Sequence, residues 1–311
     1  MTETSFHQPV LYQEIIHALR PIRTGLYVDC TLGAGGHALG ILQASDPDGC
    51  LLGLDLDPRA LELAKRKLAP FRTRAILIQA SYATLSEQLE ALKWPAVNGI
   101  LLDLGLSSMQ LDNHERGFSF MRDGPLDMRF DSESSLRASD LVNKLSAEEL
   151  ADILYKFGEE RQSRKVARAI VAARPILSTH QLAKVVEAVT TGRKSGIHPA
   201  TRTFQALRIV VNNELERLEA LLPQAVASLA PTGRLVIVAY HSLEDRIVKL
   251  FFRKESSDCI CPPRQPICTC DHRATLKVIT RRPIRPSDEE VVRNSRSRSA
   301  RMRVAERVIT E

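Results

Sequence analysis

The run from residue 26 to residue 55, LYVDCTLGAGGHALGILQASDPDGCLLGLD, decides the fold. Leu26–Thr31 (LYVDCT) is a short apolar strand pattern, and Gly33-Ala34-Gly35-Gly36 is a turn. Gly36–Ala44 then reads as a helix, and Cys50–Asp55 (CLLGLD) as a second strand. Downstream the alternation continues, with a helix at Pro58–Leu68 that carries proline in its first turn, where a missing N–H costs nothing. Ala75–Gln79 (AILIQ) and Ile100–Leu104 (ILLDL) are further strands, with a helix at Leu85–Leu92 between them. Upstream, Val10, Leu11, Ile15, Ile16 and Leu19 sit at helical spacing. Nearly continuous apolar strands separated by helices indicate a parallel sheet covered on both faces.

After Gly105 this rhythm stops. Residues 106–135 form a loop rich in Gly, Asp, Arg and Ser, and residues 136–222 read as helices only. Ser146-Ala-Glu-Glu149 is a capping box, in which a serine hydroxyl and a glutamate satisfy each other's backbone N–H groups. Residues 159–173 and Thr179–Val189 are two more helices. Phe204, Leu207, Val211, Leu215, Leu218 and Leu222 recur every three or four residues, the apolar face of one longer helix. Strand patterns resume at Arg234–Tyr240, Leu276–Thr280 and Ala300–Val304. The expected fold is α/β and Rossmann-like, with an all-helical domain inserted after the fourth strand. Residues 1–111 and 223–311 would form the sheet domain and 112–222 the insert.

With 44% hydrophobic and 26% charged residues among 311, the chain is of ordinary globular composition. No apolar run reaches the roughly 18 residues a membrane span needs, and the first residues lack the basic-then-apolar pattern of a secretory signal. A soluble cytoplasmic protein without membrane contact is the expectation; the sequence does not disclose an oligomeric state. From Arg273 onward there are eleven Lys/Arg against five acids, a surplus equal to the whole chain's +6. Charge gathered in one segment suits a polyanionic partner, though a solvated surface would look the same.

Six cysteines fall into two groups. Cys30 and Cys50 lie in strand patterns and read as core. Cys259-x-Cys261 and Cys268-x-Cys270 flank the prolines Pro262, Pro263 and Pro266. Their spacing is tighter than the usual two to four intervening residues of zinc sites, so a metal-free loop or occasional disulfide is the default and zinc the alternative.

The glycine turn and Asp55 together specify an adenosine-type cofactor. Glycines let a backbone approach a ligand closely, and a carboxylate at the end of the second strand can accept hydrogen bonds from both ribose hydroxyls. Gly33-x-Gly35-x-x-Ala38 also fits the dinucleotide pattern, which leaves a nicotinamide oxidoreductase open. Asp29 and Asp103, at the ends of the first and fourth strands, favour the cationic sulfonium of S-adenosylmethionine instead. Tyr82, just past the third strand, is placed either to stack on adenine or to serve as an ordinary half-buried aromatic.

The segment 98–131, NGILLDLGLSSMQLDNHERGFSFMRDGPLDMRFD, is far more specific. It resembles the small-subunit ribosomal RNA methyltransferase H family, as do Gly33–His37 with Tyr27-Val28-Asp29, Gly158–Arg161, His198–Glu214, His241–Lys249 and Arg298–Glu306. The resemblance spans essentially the whole chain in order. It implies a class I S-adenosylmethionine methyltransferase sheet, with S-adenosyl-L-methionine as co-substrate. It further implies methylation of N4 of a cytidine in the decoding region of 16S rRNA, within the small ribosomal subunit. Another base amine in RNA or DNA is the alternative. Gly35, Gly36, His37, Asp55, Tyr82, Asp103 and Gln110 are implied to line the cofactor site. The chain departs from the family at Tyr82 (usually Phe), Met109 (usually Pro), Leu56 (commonly Arg) and Ser295 (commonly Pro).

Cytosine N4 is a poor nucleophile because its lone pair is delocalised into the ring, so positioning and an acceptor for an amine hydrogen must carry the reaction. Asp103, with Ser107 or Ser108, is the candidate acceptor; the alternative is that Asp103 only holds the cofactor. Arg116, Arg122, Asp123, Asp127 and Arg129 stand among Phe118, Phe120, Met121 and Phe130, a mixture fit for gripping phosphate and stacking a splayed base, or for packing on itself. His198, Arg202 and Arg208 are further candidates for that surface. Ser242-x-x-Asp245 reads as a helix cap. A non-catalytic RNA-binding protein would explain the basic tail but not a carboxylate set against a glycine turn.

Overall fold

The structure is a computed structural model and describes residues 9–190, 198–262, 265 and 267–309. In chain order the first elements are α1 (Tyr12–Leu19), β1 (Leu26–Asp29), α2 (Gly36–Ala44), β2 (Cys50–Asp55), α3 (Pro58–Leu68), β3 (Ala75–Gln79), α4 (Leu85–Ala91) and β4 (Val97–Asp103). Helices follow: α5 (Ser108–Asp112), α6 (Ala138–Lys144), α7 (Ala147–Gly158), α8 (Ser163–Ala172), α9 (Thr179–Val189), α10 (Ala200–Asn212) and α11 (Glu214–Ser228). The chain ends with β5 (Leu229–Ala239), α12 (Ser242–Glu255), β6 (Leu276–Val278), α13 (Asp288–Arg293) and β7 (Arg301–Arg307).

One seven-stranded sheet has the order β3-β2-β1-β4-β5-β7-β6. Its first five strands are parallel, and β7 runs antiparallel between β5 and β6. Successive strand residues point to opposite faces, and both faces are buried. Val28, Leu52, Leu54, Ile100, Leu102, Leu235 and Ile237 pack with Leu85 and Leu89 of α4, Leu218, Leu221 and Leu222 of α11, and Val248 and Phe252 of α12. Tyr27, Leu51, Leu101, Val236, Val238 and Met302 pack with Ile15 and Leu19 of α1, Ile41 and Leu42 of α2, and Leu61 and Leu68 of α3. Two apolar layers on one sheet is the arrangement the uninterrupted strand runs require.

The chain divides into two compact units, Met1–Gly105 with Arg217–Glu311, and Leu106–Glu216. The second unit has its own core, in which Leu150 and Leu154 of α7, Val166 and Ile170 of α8, Leu182 and Val186 of α9, and Phe204 and Leu207 of α10 meet. Asn212 stitches the 106–135 segment to this core: its Nδ2 donates to Met128 O at 2.8 Å and its Oδ1 accepts from Phe130 N at 2.7 Å.

Three details differ from the expectation. The single long helix over 204–222 is two helices, because Asn213 between them adopts φ +49, a left-handed conformation that asparagine tolerates better than most residues. Ser242 does not cap α12. The cap is His241, whose Nδ1 accepts from Glu244 N at 3.4 Å, while Asp245 accepts from Arg303 Nε at 2.6 Å and from Nη2 at 3.2 Å. Burial alone would raise the Asp245 carboxyl, but the Arg303 bond and the charges of Arg303 and Arg301 hold it below the usual carboxylate range. Cys30 is buried as expected, whereas Cys50, at the start of β2, is only half-buried.

Candidate active site

Strand order reverses between β1 and β4, and at such a switch point open parallel sheets bind ligands beyond the carboxyl ends of the strands. Asp29 ends β1, Asp103 ends β4 and Asp55 ends β2, so three carboxylates stand along one edge of the sheet. The glycine turn lies directly against them. Gly33 adopts φ +52 and Gly35 φ +74, both left-handed, and Gly35 forms the cap that opens α2. Gly33 N–H donates to Asp55 Oδ2 at 2.8 Å, and Asp57 N–H donates to Asp55 Oδ1 at 2.8 Å. These bonds fix the carboxylate's orientation and leave each oxygen a second lone pair.

Asp103 is held as firmly. Its backbone N–H donates to Thr31 Oγ1 at 2.6 Å, which joins the loop after β1 to the end of β4. Tyr240, the residue after β5, donates its phenol O–H to Asp103 Oδ1 at 2.9 Å. Gly105 makes room for that ring: it has φ +102, and a Cβ there would stand 3.0 Å from Tyr240 Cδ2. Burial, with Asp103 adjacent, drives the Tyr240 phenol well above its ordinary value, so it serves as a neutral donor. On the other side His37 Nε2 lies 3.3 Å from Asp103 Oδ2, but off the hydrogen-bond direction, and neither ring nitrogen has a hydrogen-bond partner among the described residues.

Asp29 is 1% exposed, and its Oδ2 is also without a hydrogen-bond partner among the described residues, while its Oδ1 accepts from Thr31 N at 3.2 Å. Desolvation pushes its carboxyl up to about 7, against the lowering influence of His37 and the Thr31 N–H, and the charges of Asp103 and Asp55 add to the rise. Asp55 is raised as well, mainly by burial and against its backbone hydrogen bonds. A buried acid with an unpartnered oxygen, Asp29, beside the half-buried Asp55 and Asp103, is where a cationic ligand gains most. Among the described residues, Thr31 O at 4.0 Å is the only near neighbour of the position a Cβ would take on Gly33. Orphaned acceptors and a bare turn fit a sulfonium-bearing adenosine.

Tyr82 opens a single 3-10 turn, Tyr82–Thr84, just beyond β3, and its half-buried ring packs against the core layer of α4, α11 and α12. Gly36 begins α2, and a Cβ on it would strike Pro9 at 2.4 Å. The structure thus gathers Gly35, Gly36, His37, Asp55, Tyr82 and Asp103 in the sheet unit. Sequence reasoning missed Tyr240 as a partner of Asp103. Its one available signal is its place immediately after a strand neighbouring β4.

Ser107 and Gln110 belong to the second unit and bind each other. Ser107 Oγ accepts from Gln110 N at 3.2 Å, and Gln110 Oε1 accepts from Ser107 N at 3.0 Å, a capping box on α5. The side chain of Ser108, the first residue of α5, lies outside the described residues. Ser107→Ala is therefore expected to lower stability by about 1 kcal/mol through the lost cap and to change turnover no more than about threefold, read by thermal melting and initial rates. A much larger loss of rate at unchanged stability would give Ser107 a part in the chemistry.

The arginine-aromatic segment is largely committed to its own unit. Arg116 donates to Arg129 O and Phe130 O, Arg129 forms a paired bond with Asp127 at 2.9 and 2.8 Å, and Phe118 and Phe130 lie 5.5 Å apart. Arg208 is likewise paired with Glu214 at 2.8 Å, Arg202 lies 3.8 Å from Glu160, and His198 packs on Phe120 at 4.5 Å. Met121 and Arg122 remain exposed.

The model of the MraW methylase family matches residues 4–308. The chain belongs to this family. Among its relatives is the ribosomal RNA small subunit methyltransferase H of Dehalococcoides mccartyi, 53% identical over 97% of this chain and 87% of that protein. The proteins of the same name from Syntrophus aciditrophicus and Thermomicrobium roseum are 52% and 50% identical, over 98% and 97% of this chain and 98% and 94% of theirs. Family membership makes the chain a methyltransferase dependent on S-adenosylmethionine, and its α/β sheet with a run of helices after β4 is the fold expected from the sequence. The nicotinamide alternative left open by the glycine spacing falls away. Among the described residues no helix is long and apolar enough to cross a membrane.

Proposed function

We propose that this protein transfers a methyl group from S-adenosylmethionine to N4 of a cytidine in the decoding region of 16S rRNA, acting in the cytoplasm on the small ribosomal subunit. The observation that carries the reading is the edge formed by Asp29, Asp55 and Asp103 against the glycine turn, in a chain of the MraW methylase family. Asp55 would hold the ribose hydroxyls, the backbone at Gly35 and Gly36 with His37 would line the donor, and Tyr82 would stack on its adenine. Gln110 is assigned to the same site from the family resemblance. When bound, the donor supplies an electrophilic methyl on a sulfonium. Asp29 and Asp103 supply the negative potential that favours that cation.

Asp103 would also accept a hydrogen bond from the target amine, turning the nitrogen lone pair out of conjugation. The C–N bond would form as the donor's S–CH3 bond breaks, and Asp103 or water would take the proton shed from nitrogen. Such an amine becomes acidic as it is methylated, so no strong base is needed. The Leu106–Glu216 unit is assigned to substrate recognition. Exposed Arg281, Arg282, Arg285, Arg293 and Arg298 offer the tail's charge to RNA phosphates, whereas Arg303 is committed to Asp245.

The deciding experiment adds the purified protein and labelled donor to small subunits from a strain lacking it, followed by mass spectrometry of the nucleosides. N4-methylcytidine is the expected product. A methyl group on another base, or on DNA in preference to rRNA, would replace the substrate assignment while leaving the enzyme class intact.

A further inference from the structure

The connection between α12 and β6 has no core of its own: between Cys259 and Asp271 none of the described residues is buried, and Ile260 and Ile267 are 43% and 74% exposed. Its base is nonetheless closed. Thr275 N–H donates to Glu255 O at 2.8 Å, Ala274 N–H donates to Asp258 Oδ1 at 3.1 Å, and His272 Nδ1 lies 2.8 Å from Ser257 O. Above that base the two Cys-x-Cys pairs face each other. Cys268 Sγ and Cys270 Sγ are 3.6 Å apart, Cys270 Sγ and Cys259 Sγ are 3.9 Å apart, and all four sulfurs lie within 4.8 Å of one another. No disulfide joins them.

A tetrahedral ion with metal–sulfur bonds of ~2.3 Å requires sulfur–sulfur edges of about 3.8 Å. The 3.6 and 3.9 Å separations bracket that edge, and both are far too long for a disulfide of about 2.05 Å. The backbone is arranged for thiolates too: Ile260 N–H donates to Cys270 Sγ at 3.3 Å and Thr269 N–H donates to Cys261 Sγ at 3.4 Å, one bond from each pair to the other. Donors of this kind steady sulfur ligands and spread their charge. Four thiolates held this closely at the surface would repel one another, whereas a divalent cation among them replaces repulsion with four bonds and supplies the stability an apolar core would otherwise give.

We propose that Cys259, Cys261, Cys268 and Cys270 form a tetrathiolate zinc site that organises the loop between α12 and β6. The closed coordination shell leaves no open position, which makes the site structural rather than catalytic. It is independent of the donor site, and its test reads metal rather than methyl transfer.

The full chain, purified without chelator under reducing conditions, should contain about one zinc per molecule by plasma mass spectrometry. After stripping, Co(II) added in its place should give the intense charge-transfer and d–d bands of a tetrahedral thiolate site, which tests the idea without any mutation. Cys259→Ser and Cys270→Ser should each lower zinc content roughly tenfold, while Cys50→Ser keeps it. Zinc-free protein with four free thiols overturns the proposal, as do two disulfides by peptide mapping or iron in place of zinc.

Discussion

Asp29→Asn is expected to be more stable than the parent chain at pH 8, and yet to bind S-adenosylmethionine more weakly. Burial pushes the folded-state carboxyl up to about 7 from an ordinary value of 3.8, so between those limits the native protein holds a proton that the unfolded chain has released. A raised folded value contributes stability that is fully present below about pH 4. That stability is lost as the pH climbs through about 7, and it changes no further beyond. The span corresponds to roughly 4 kcal/mol. Asparagine has the shape of the protonated acid and cannot ionise. Its melting temperature should therefore match the parent near pH 4 and exceed it by about 5 °C or more at pH 8.

The same substitution removes a negative charge that a sulfonium would meet. Donor affinity should fall roughly tenfold or more, while S-adenosylhomocysteine, whose sulfur is neutral, should lose far less. In the parent chain, affinity for the cationic donor should also rise with pH through about 7 as Asp29 ionises. Calorimetric titration with both ligands and melting curves from pH 4 to 8 measure this. Parallel pH–stability curves for variant and parent would remove Asp29 from this account.

The difference between what the sequence disclosed and what it withheld follows from interaction range. The helices at Gly36–Ala44, Pro58–Leu68 and Thr179–Val189 and the strands at Cys50–Asp55 and Ala75–Gln79 have the bounds read from the sequence. Their signals are local: apolar periodicity, a proline in a first turn, a serine cap at Ser178. Asp55 was legible because a strand end and a glycine turn are neighbours in both sequence and space. Tyr240 was not, since it meets Asp103 across 137 positions and only the sheet order brings β4 and β5 together. The break at Asn213 was hidden for a related reason. Its neighbour Asn212 is drawn to Met128 and Phe130, more than 80 residues earlier, and apolar spacing continues undisturbed across the break. In the same way the two Cys-x-Cys pairs look poorly spaced for a metal along the chain, and only the closed base of their loop brings the sulfurs together.

Asp103→Asn separates holding the donor from assisting the acceptor. An amide can keep the Tyr240 bond through its carbonyl, so the 2.9 Å contact and the local fold should survive. What is lost is a charged acceptor for the amine hydrogen, since the amide's other half is a donor. Loss of such a group typically lowers rates by ~100-fold or more, and that is the expected fall in turnover on small subunits. S-adenosylhomocysteine affinity should stay within about threefold, because the sulfur of that ligand carries no formal charge. Tyr240→Phe supplies the comparison. It leaves the Asp103 charge in place but removes the O–H that aims it, so its turnover should fall less, by about tenfold, with affinity for both ligands unchanged. The ordering of the two variants carries the argument: a purely cofactor-holding Asp103 would show up as weaker donor binding at near-parental turnover under saturation, and would leave Tyr240→Phe almost silent.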